Sequence, residues 1–583
     1  MKQFLKIVLA VIVGSLIVSV LSTILFFGVI GVIAGSSEKT VTLKSHSVYQ
    51  LQLDGELTDR SSDNPMNAAL AKALSGSDYQ TLGLDQVLAN IEKAKTDDKI
   101  TGIYLKGGSL SGGFASIKEI RDALLDFKTS GKFIVAYADD YTQKNYYLAS
   151  VADKIIVNPL GSVDFKGIAS ETMFFKDLLE KIGVEIQVVK VGTYKSAVEP
   201  YLNSEMSQAN REQVNRYISS IWNNLINEIS ESRSISTENL NLYADEMMTF
   251  QPTEKAMEYA LIDTILYEDE VDSIIKTFDA DYNIIKHSNL TKVQSTKKYN
   301  TSKLAVLYAV GGIDMGGSGD DNIVSKDLVK TINKIADDDA IKAVVFRVNS
   351  PGGSAYGSEQ IWRAISKLKE KKPVVVSMGD YAASGGYYIS CNADVIVAQP
   401  NTLTGSIGIF GTIPNTAGLY KKIGLATDGA KTNKMSDAIT TSRAFTPDER
   451  NLLQNYVNRG YETFVKRCAD GRGKTTDEIK AIAEGRVWTG EDALKIGLVD
   501  ALGGIDEAVA LAAEKAEITD YQIAEYPAVG NFFTQLINEL NDNAENRMLK
   551  SQLGEYYNVV KELKVLQNTN GIQARMPYEI IIK

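Results

Sequence analysis

After an apolar N-terminal stretch, the sequence predicts an α/β fold in two tandem copies, with largely parallel sheet. Two observations predict it. The first is alternation: short β-branched runs at 100–106, 133–138, 154–157, 185–190, 341–348, 374–378 and 394–398 are interleaved with helical patterns at 115–128, 207–231, 357–370, 447–470 and 505–515, the arrangement that builds βαβ units. The second is repetition. The segment KFIVAYADDYTQKNYYLASVADKIIVNP (132–159) matches KPVVVSMGDYAASGGYYISCNADVIVAQP (372–400), and TDDKITGIYLKGGSLSGG (96–113) matches DDDAIKAVVFRVNSPGG (337–353). Ile100 and Ile341, Pro159 and Pro400, and Gly183 and Gly424 all lie 241 positions apart. MTFQPTEKAMEYALID (248–263) recurs as RVWTGEDALKIGLVD (486–500). The first copy is assigned to 45–290 and the second to 300–528, joined by a polar connector near Lys286–Ser302. Each is of the size one α/β domain takes.

Residues 7–34 carry no charge, a run longer than the roughly 20 apolar residues a bilayer-spanning helix needs. Lys2 and Lys6 precede it, so residues 1–6 read as a cytoplasmic stub and 7–34 as an uncleaved transmembrane anchor, with the rest of the chain outside the cytoplasm. A cleaved signal peptide is the competing reading, but its apolar core runs only about 7–15 residues. Residues 529–583 have no counterpart in the first copy, and the amphipathic pattern over 532–566 predicts a helical C-terminal extension. The chain of 583 residues has 44% hydrophobic residues, a formal charge of −11 and no long basic run, which excludes nucleic acid as a partner.

Within the second copy the stretch Pro373–Asp394 stands out. Val374–Val376 reads as a buried strand, Ala382–Gly386 as a tight bend of small residues, and Tyr387–Ile389 as the start of a helix. A serine at such a bend, Ser384, has its Oγ exposed to a substrate, and helix-start N–H groups lie behind it to hold an oxyanion. An ordinary serine N-cap would look the same locally. The chain has two histidines, His46 and His287, each placed just before a strand-like segment and neither in a catalytic-looking context. A Ser-His-Asp triad is therefore not expected, and a base must come from elsewhere. Cys391 and Cys468 show no metal-ligand spacing and read as buried structural thiols. No metal or cofactor is expected.

The two copies differ where chemistry is expected. The first copy's turn reads YTQKNYY, one residue shorter than YAASGGYY and without a serine. It carries instead VVKVGTYKSAVEPY (188–201), where an apolar run leads to Lys195, and the equivalent position in the second copy is Ser436. A lysine buried among Val188, Val189, Val191, Ala197 and Val198 could be neutral near pH 7 and take a proton from Ser384, since burial lowers a lysine pKa by up to about 3–5 units. A solvated surface lysine is the plainer alternative. Gly385 and the NSPGG turn (349–353), with Gly352 and Gly353, are candidate oxyanion donors. The first copy keeps Gly112 and Gly113 there, so part of that role is structural. Ser406, in TLTGSIGIFG, either orients the lysine or is a turn serine.

The motifs MGDYAASGGYYIS, RVNSPGGS, TLTGSIGIFG, KVGTYKSAVEPY and GRVWTG together resemble the bacterial signal peptide peptidase A family (peptidase family S49) in its long, duplicated form. The resemblance covers nearly everything after the anchor, less so the last fifty or so residues. It implies Clp protease/crotonase-like repeats and a serine endopeptidase with a Ser-Lys dyad, in which Ser384 matches the nucleophile and Lys195 the general base. It also implies a homotetrameric bowl anchored in the bacterial inner membrane and facing the periplasm, with cleaved signal peptides and other hydrophobic peptides as substrates. Two rival readings stay open: a crotonase-type acyl-CoA enzyme, and a catalytically silent membrane scaffold.

Overall fold

The computed structural model describes residues 41–61, 81–294, 302–316, 322–527 and 572–576, with residues 14, 15, 18 and 19 of the N-terminal stretch. The expected anchor and the amphipathic pattern over 532–566 thus fall almost wholly outside the described residues. Among the described residues no helix is long and apolar enough to cross a membrane.

Each copy is built on one twisted sheet. The first copy's seven-stranded sheet runs Thr81–Gly83, Ser47–Thr58, Ile100–Ser111, Phe133–Tyr141, Lys154–Val163 and Thr264–Ile265, with Asn283–Lys286 also pairing Ser47–Thr58. Every pairing in it is parallel. The second copy's eight-stranded sheet repeats the plan through Lys303–Val310, Ile341–Ser350 and Val374–Ala383. The central strands are apolar at nearly every position because both faces are covered. Val344, Phe346 and Val348 point into the main core of that copy, while Ala343 and Val345 face the helix Ile505–Lys515 side. The predicted helices appear as Phe114–Lys128, Gln208–Arg233, Ala355–Lys369, Pro447–Arg472 and Ile505–Lys515.

A third, six-stranded sheet departs from the expectation of two self-contained units. Its order is Asn322–Val324, Gly312–Asp314, Gly352–Ser354, Gln573–Arg575, Ile409–Asn415 and Glu185–Val191. The last strand belongs to the first copy and pairs antiparallel with Ile409–Asn415 of the second over seven residues. The copies therefore share main-chain hydrogen bonds as well as side chains. Buried Arg347 donates to Asp59 at 2.8 Å and to Glu119 at 2.7 Å, both from the first copy. Asp380 of the second copy accepts from the Ala115 and Ser116 N–H groups at the start of the first copy's helix Phe114–Lys128, where a carboxylate meets the positive end of the helix dipole.

Two expectations are corrected. The C-terminal extension is not all helical: Gln573–Arg575 is a strand, because it lies between two strand edges that leave main-chain groups to be paired. His287 does not lead into a strand. It opens the one-turn helix His287–Leu290 and is bonded to Tyr49 and Asn90 inside the first copy, where burial lowers its pKa to about 4. His46 is exposed and faces Asp279.

Candidate active site

Ser384 sits where the strand Val374–Ala383 turns into the helix Gly385–Ser390. Its backbone has φ 55° and ψ −111°, and its side chain makes no capping bond. An ordinary N-cap takes β-region angles and bonds its own helix, so the plain reading of this serine does not hold. A non-glycine residue in such a conformation costs of order 1–3 kcal/mol and persists only where the surroundings enforce it. Here Ser384 N–H donates to the Gly405 carbonyl at 2.8 Å, and the Tyr388 N–H to the Ser384 carbonyl at 2.8 Å. Gly386 is needed behind it, since a Cβ there would press on the Ser350 carbonyl at 2.5 Å.

Lys195 reaches this serine from the first copy. Its Nζ lies 2.8 Å from Ser384 Oγ and 3.0 Å from both the carbonyl and the Oγ of Ser406. All three residues are fully buried. Burial pushes the Lys195 pKa well down, because a charged ammonium there would lose its water without gaining a counter-ion. A neutral amine at that distance can accept the serine proton. Ser406 is therefore more than a turn residue: it holds two of the three contacts that aim the amine.

The lysine arm is fixed by residues that the sequence did not mark. The turn after the strand Glu185–Val191 is clamped to the second copy: Tyr194 N–H donates to the Glu484 carbonyl at 2.8 Å, and Thr193 N–H to the Glu484 carboxylate at 2.9 Å. Gly485, at φ 75°, lies against Lys195 so closely that a Cβ would come within 2.7 Å of the lysine's own Cβ. Gln213 donates to the Tyr194 carbonyl and to Ser196 Oγ and accepts from Val487 N–H, tying arm to helix and to the opposing strand. The GRVWTG motif beginning at Gly485 was the visible sign of this clamp; Gln213 left none.

Two of the three candidate oxyanion donors meet beside Ser384. Gly352, at φ 94°, packs against the start of the serine's helix: a Cβ on it would come within 2.6 Å of Gly385 N and 3.0 Å of the Ala383 carbonyl. Gly352 and Gly385 are thus brought together at the start of the serine's helix, while Gly353 packs against the Ile313 backbone. His46 and His287 make their bonds within the first copy. Cys391 and Cys468 are buried free thiols.

Comparison with known proteins agrees with this architecture. The family model for peptidase family S49 matches residues 126–281 and again 366–519, one match in each copy. The chain is 37% identical over 493 residues to "Protease 4" of Salmonella typhi, covering 82% of this chain and 79% of that protein. It is 32% identical over 517 residues to "Serine protease SPPA, chloroplastic" of Arabidopsis thaliana, covering 85% and 74%. A shorter relative, "Putative signal peptide peptidase SppA" of Enterococcus faecium, is 32% identical over 246 residues, 41% of this chain and 71% of the relative. Two matches of one family model on a chain that folds as two copies, together with likeness over most of their length to proteins named as proteases, place this chain in peptidase family S49.

Proposed function

We propose that this chain is a serine endopeptidase working through a Ser-Lys dyad that the two copies complete between them. The observation that carries this reading is the Lys195 Nζ–Ser384 Oγ distance of 2.8 Å in a site where burial lowers the lysine's pKa and so favours the neutral amine. Lys195 takes the Ser384 proton as Oγ attacks the scissile carbonyl. The oxyanion is held by the N–H of Gly385 and by the Gly352–Gly353 turn. The lysine then gives its proton to the departing amine, which leaves an acyl-enzyme on Ser384. Water, deprotonated by Lys195, attacks that ester, and the proton returns to Ser384 Oγ. A crotonase-type reaction on an acyl-CoA would leave the strained serine and the neutral lysine without a task.

Each copy acts in this reading as a Clp protease/crotonase-like unit, and 7–34 as a single-pass inner-membrane anchor that sets the catalytic part in the periplasm. Substrates are signal-peptide remnants and other hydrophobic peptides. A homo-oligomer, a tetramer by the resemblance, has support in the shared sheet. Glu185–Val191 pairs with Ile409–Asn415 inside one chain. Their counterparts by the repeat, 426–432 and 168–174, form no such strands here and are available to a second chain. The direct test is incubation of the full chain with a fluorophosphonate. Labelling confined to Ser384 is expected. An unlabelled serine in a folded protein overturns the dyad.

A further inference from the structure

The segment Glu484–Trp488 reaches every member of the site. Its strand Val487–Thr489 pairs antiparallel with Leu403–Gly405, with Val487 opposite Gly405, and the Gly405 carbonyl receives the Ser384 N–H. The Arg486 carbonyl accepts from the Ser406 N–H at 2.7 Å. Ser406 is held there at φ 50°, on the positive side that residues other than glycine seldom adopt. Both its carbonyl and its Oγ aim the Lys195 amine. Gly485 N–H donates to the Ile407 carbonyl at 2.9 Å, so Ser406 is fixed by its own N–H and by that of its neighbour's partner. The main chain of this segment thus sets Ser406 and, through Gly405, Ser384.

The Arg486 side chain reaches the lysine arm. Its guanidinium carbon lies 4.7 Å from the centre of the Tyr194 ring and 4.7 Å from that of the Trp488 ring, so the cation stands against two aromatic rings, one from each copy. The fork is used as well. One nitrogen donates to Tyr194 Oη at 3.3 Å and another to Glu212 at 2.9 Å, on the helix Gln208–Arg233. Trp488 is itself anchored, its indole N–H donating to the Ile482 carbonyl at 3.0 Å. Tyr194 immediately precedes Lys195, so a ring held by Arg486 restrains the backbone from which the lysine side chain starts. The charged groups bonded to this arm are Arg486, with Glu212 as its counter-ion, and Glu484, which accepts from Thr193 N–H and Oγ1. The Lys195 amine itself bonds only Ser384 and Ser406 among the described residues.

We propose that Arg486 is a positioning residue for the general base. Its carbonyl sets Ser406, and its guanidinium, held against Tyr194 and Trp488, sets the arm. One residue so keeps the lysine and the serine that aims it in register across the join between the copies. Its own bonds go to Tyr194 and Glu212, and it moves no proton. This rests on the dyad reading above. The bond to Ser406 is made by the main chain, so a substitution at 486 isolates what the guanidinium does. When the arm loosens, the amine spends less time in line with Ser384 Oγ, which lowers kcat and leaves peptide binding alone. The amine also meets water more often, and its pKa moves up toward the ordinary value of about 10.4.

The test uses full-length protein in detergent, with an apolar peptide substrate and with fluorophosphonate labelling of Ser384. Arg486→Met keeps the stem and loses the fork and the charge. It should lower kcat about tenfold, slow labelling to the same extent and leave KM within about twofold. The ascending limb of kcat/KM should move to higher pH. Arg486→Lys keeps the charge but not the planar fork, and it should still lose at least about threefold in kcat. Tyr194→Leu should resemble Arg486→Met, and the double variant should be no more than about twofold worse than either, because the two side chains act through one contact. Wild-type kcat in Arg486→Lys would show that the charge alone acts and overturns the proposal. So would additive losses, a limb that stays in place, or a kcat of Arg486→Met within about twofold of wild type. A wild type that does not label counts instead against Ser384 as the nucleophile.

Discussion

The two copies of this chain make the same turn in two ways. In the first, Thr142 is a regular N-cap at φ −64° and ψ 153°, and its side chain accepts from Asn145 N–H. Every following side chain is bonded to backbone nearby. Gln143 accepts from the Lys166 and Gly167 N–H groups at 3.1 Å each, Lys144 Nζ donates to the Gly112 carbonyl at 2.7 Å, and Asn145 donates to the Gly108 carbonyl at 2.7 Å. In the second copy Ser384, Gly385 and Gly386 stand at those three places, aligned on the paired tyrosines Tyr146–Tyr147 and Tyr387–Tyr388. The serine is strained and the glycines leave space. Lys144 is the telling residue. It reaches to Gly112, the counterpart of Gly352, so a lysine stem crosses the place where the second copy offers oxyanion donors. The first turn is filled and cross-linked, and the second is kept open at a cost in strain. One copy has become a scaffold that lends its lysine to the other.

The largest effect should come from breaking the open turn. Ser384→Ala should lower kcat/KM by a factor on the order of 10⁴ or more. Gln143→Ser added to that variant should restore nothing, because the first turn has a lysine in its oxyanion place and no base behind it. Recovery of even one per cent of activity, read on a peptide substrate, would mean that the two turns are functionally interchangeable.

The second test separates the lent lysine from a mere charge. Lys195→Ala should match the serine variant, and the double variant should be no worse, as for residues that act as one unit. Lys195→Arg should fail equally, since arginine keeps its proton at any accessible pH. In the wild type, kcat/KM should rise with pH as the amine loses its proton, with the ascending limb well below the usual lysine value of about 10.4. A Lys195→Arg enzyme with near-normal rate would show that Lys195 supplies only position.

The same burial has a consequence for stability. Burial lowers the Lys195 pKa in the folded chain, whereas the unfolded chain protonates it below about 10.4, so unfolding takes up a proton between the lowered folded value and that limit. Stability therefore rises with pH across this window, by about 1.4 kcal/mol per unit. Lys195→Met removes the slope. The stability of this variant relative to wild type should therefore fall as the pH is raised toward about 10. Urea midpoints at pH 7 and pH 10 read this directly, and a difference between the two proteins that does not change with pH would mean that burial does not lower the lysine's pKa.

Much of this asymmetry was legible in the sequence. Alternation and the constant offset of 241 gave both sheets, because strands buried on two faces are apolar throughout and need no tertiary context to be seen. Ser384 and Lys195 showed up as positions where the repeat breaks. The exchange of the strand Glu185–Val191 between copies was not legible, since an apolar run says that a strand is buried but not which edge it joins. The clamp by Gln213 and Glu484 escaped for a related reason: most of its bonds go to backbone groups, which carry no sequence signal. The strand at 573–575 was missed because three residues are too few for a period. Its conformation comes from the two strand edges it lies between, not from its own propensity.

The smallest expected effect is at Lys144. Its amine is largely buried, and burial lowers its pKa while the nearby Asp380 carboxylate partly offsets that shift. It lies 5.0 Å from the centre of the Phe114 ring. Lys144→Met keeps the stem's packing and loses one hydrogen bond, worth about 0.5–1.5 kcal/mol. Relief from burying an ammonium works the other way. Stability should thus change by no more than about 1 kcal/mol, and kcat/KM by no more than about twofold. The arrangement makes this a sharper test than its size suggests. Asp380 lies on the strand that ends at Ser384, and it also caps the first copy's helix Phe114–Lys128, so a catalytic contribution from the filled turn has a short route to the nucleophile. If Lys144→Met lowers kcat/KM tenfold while the urea midpoint is unchanged, the first turn is part of the active site's field rather than a packed relic. The two copies would then differ in degree of participation and not in kind.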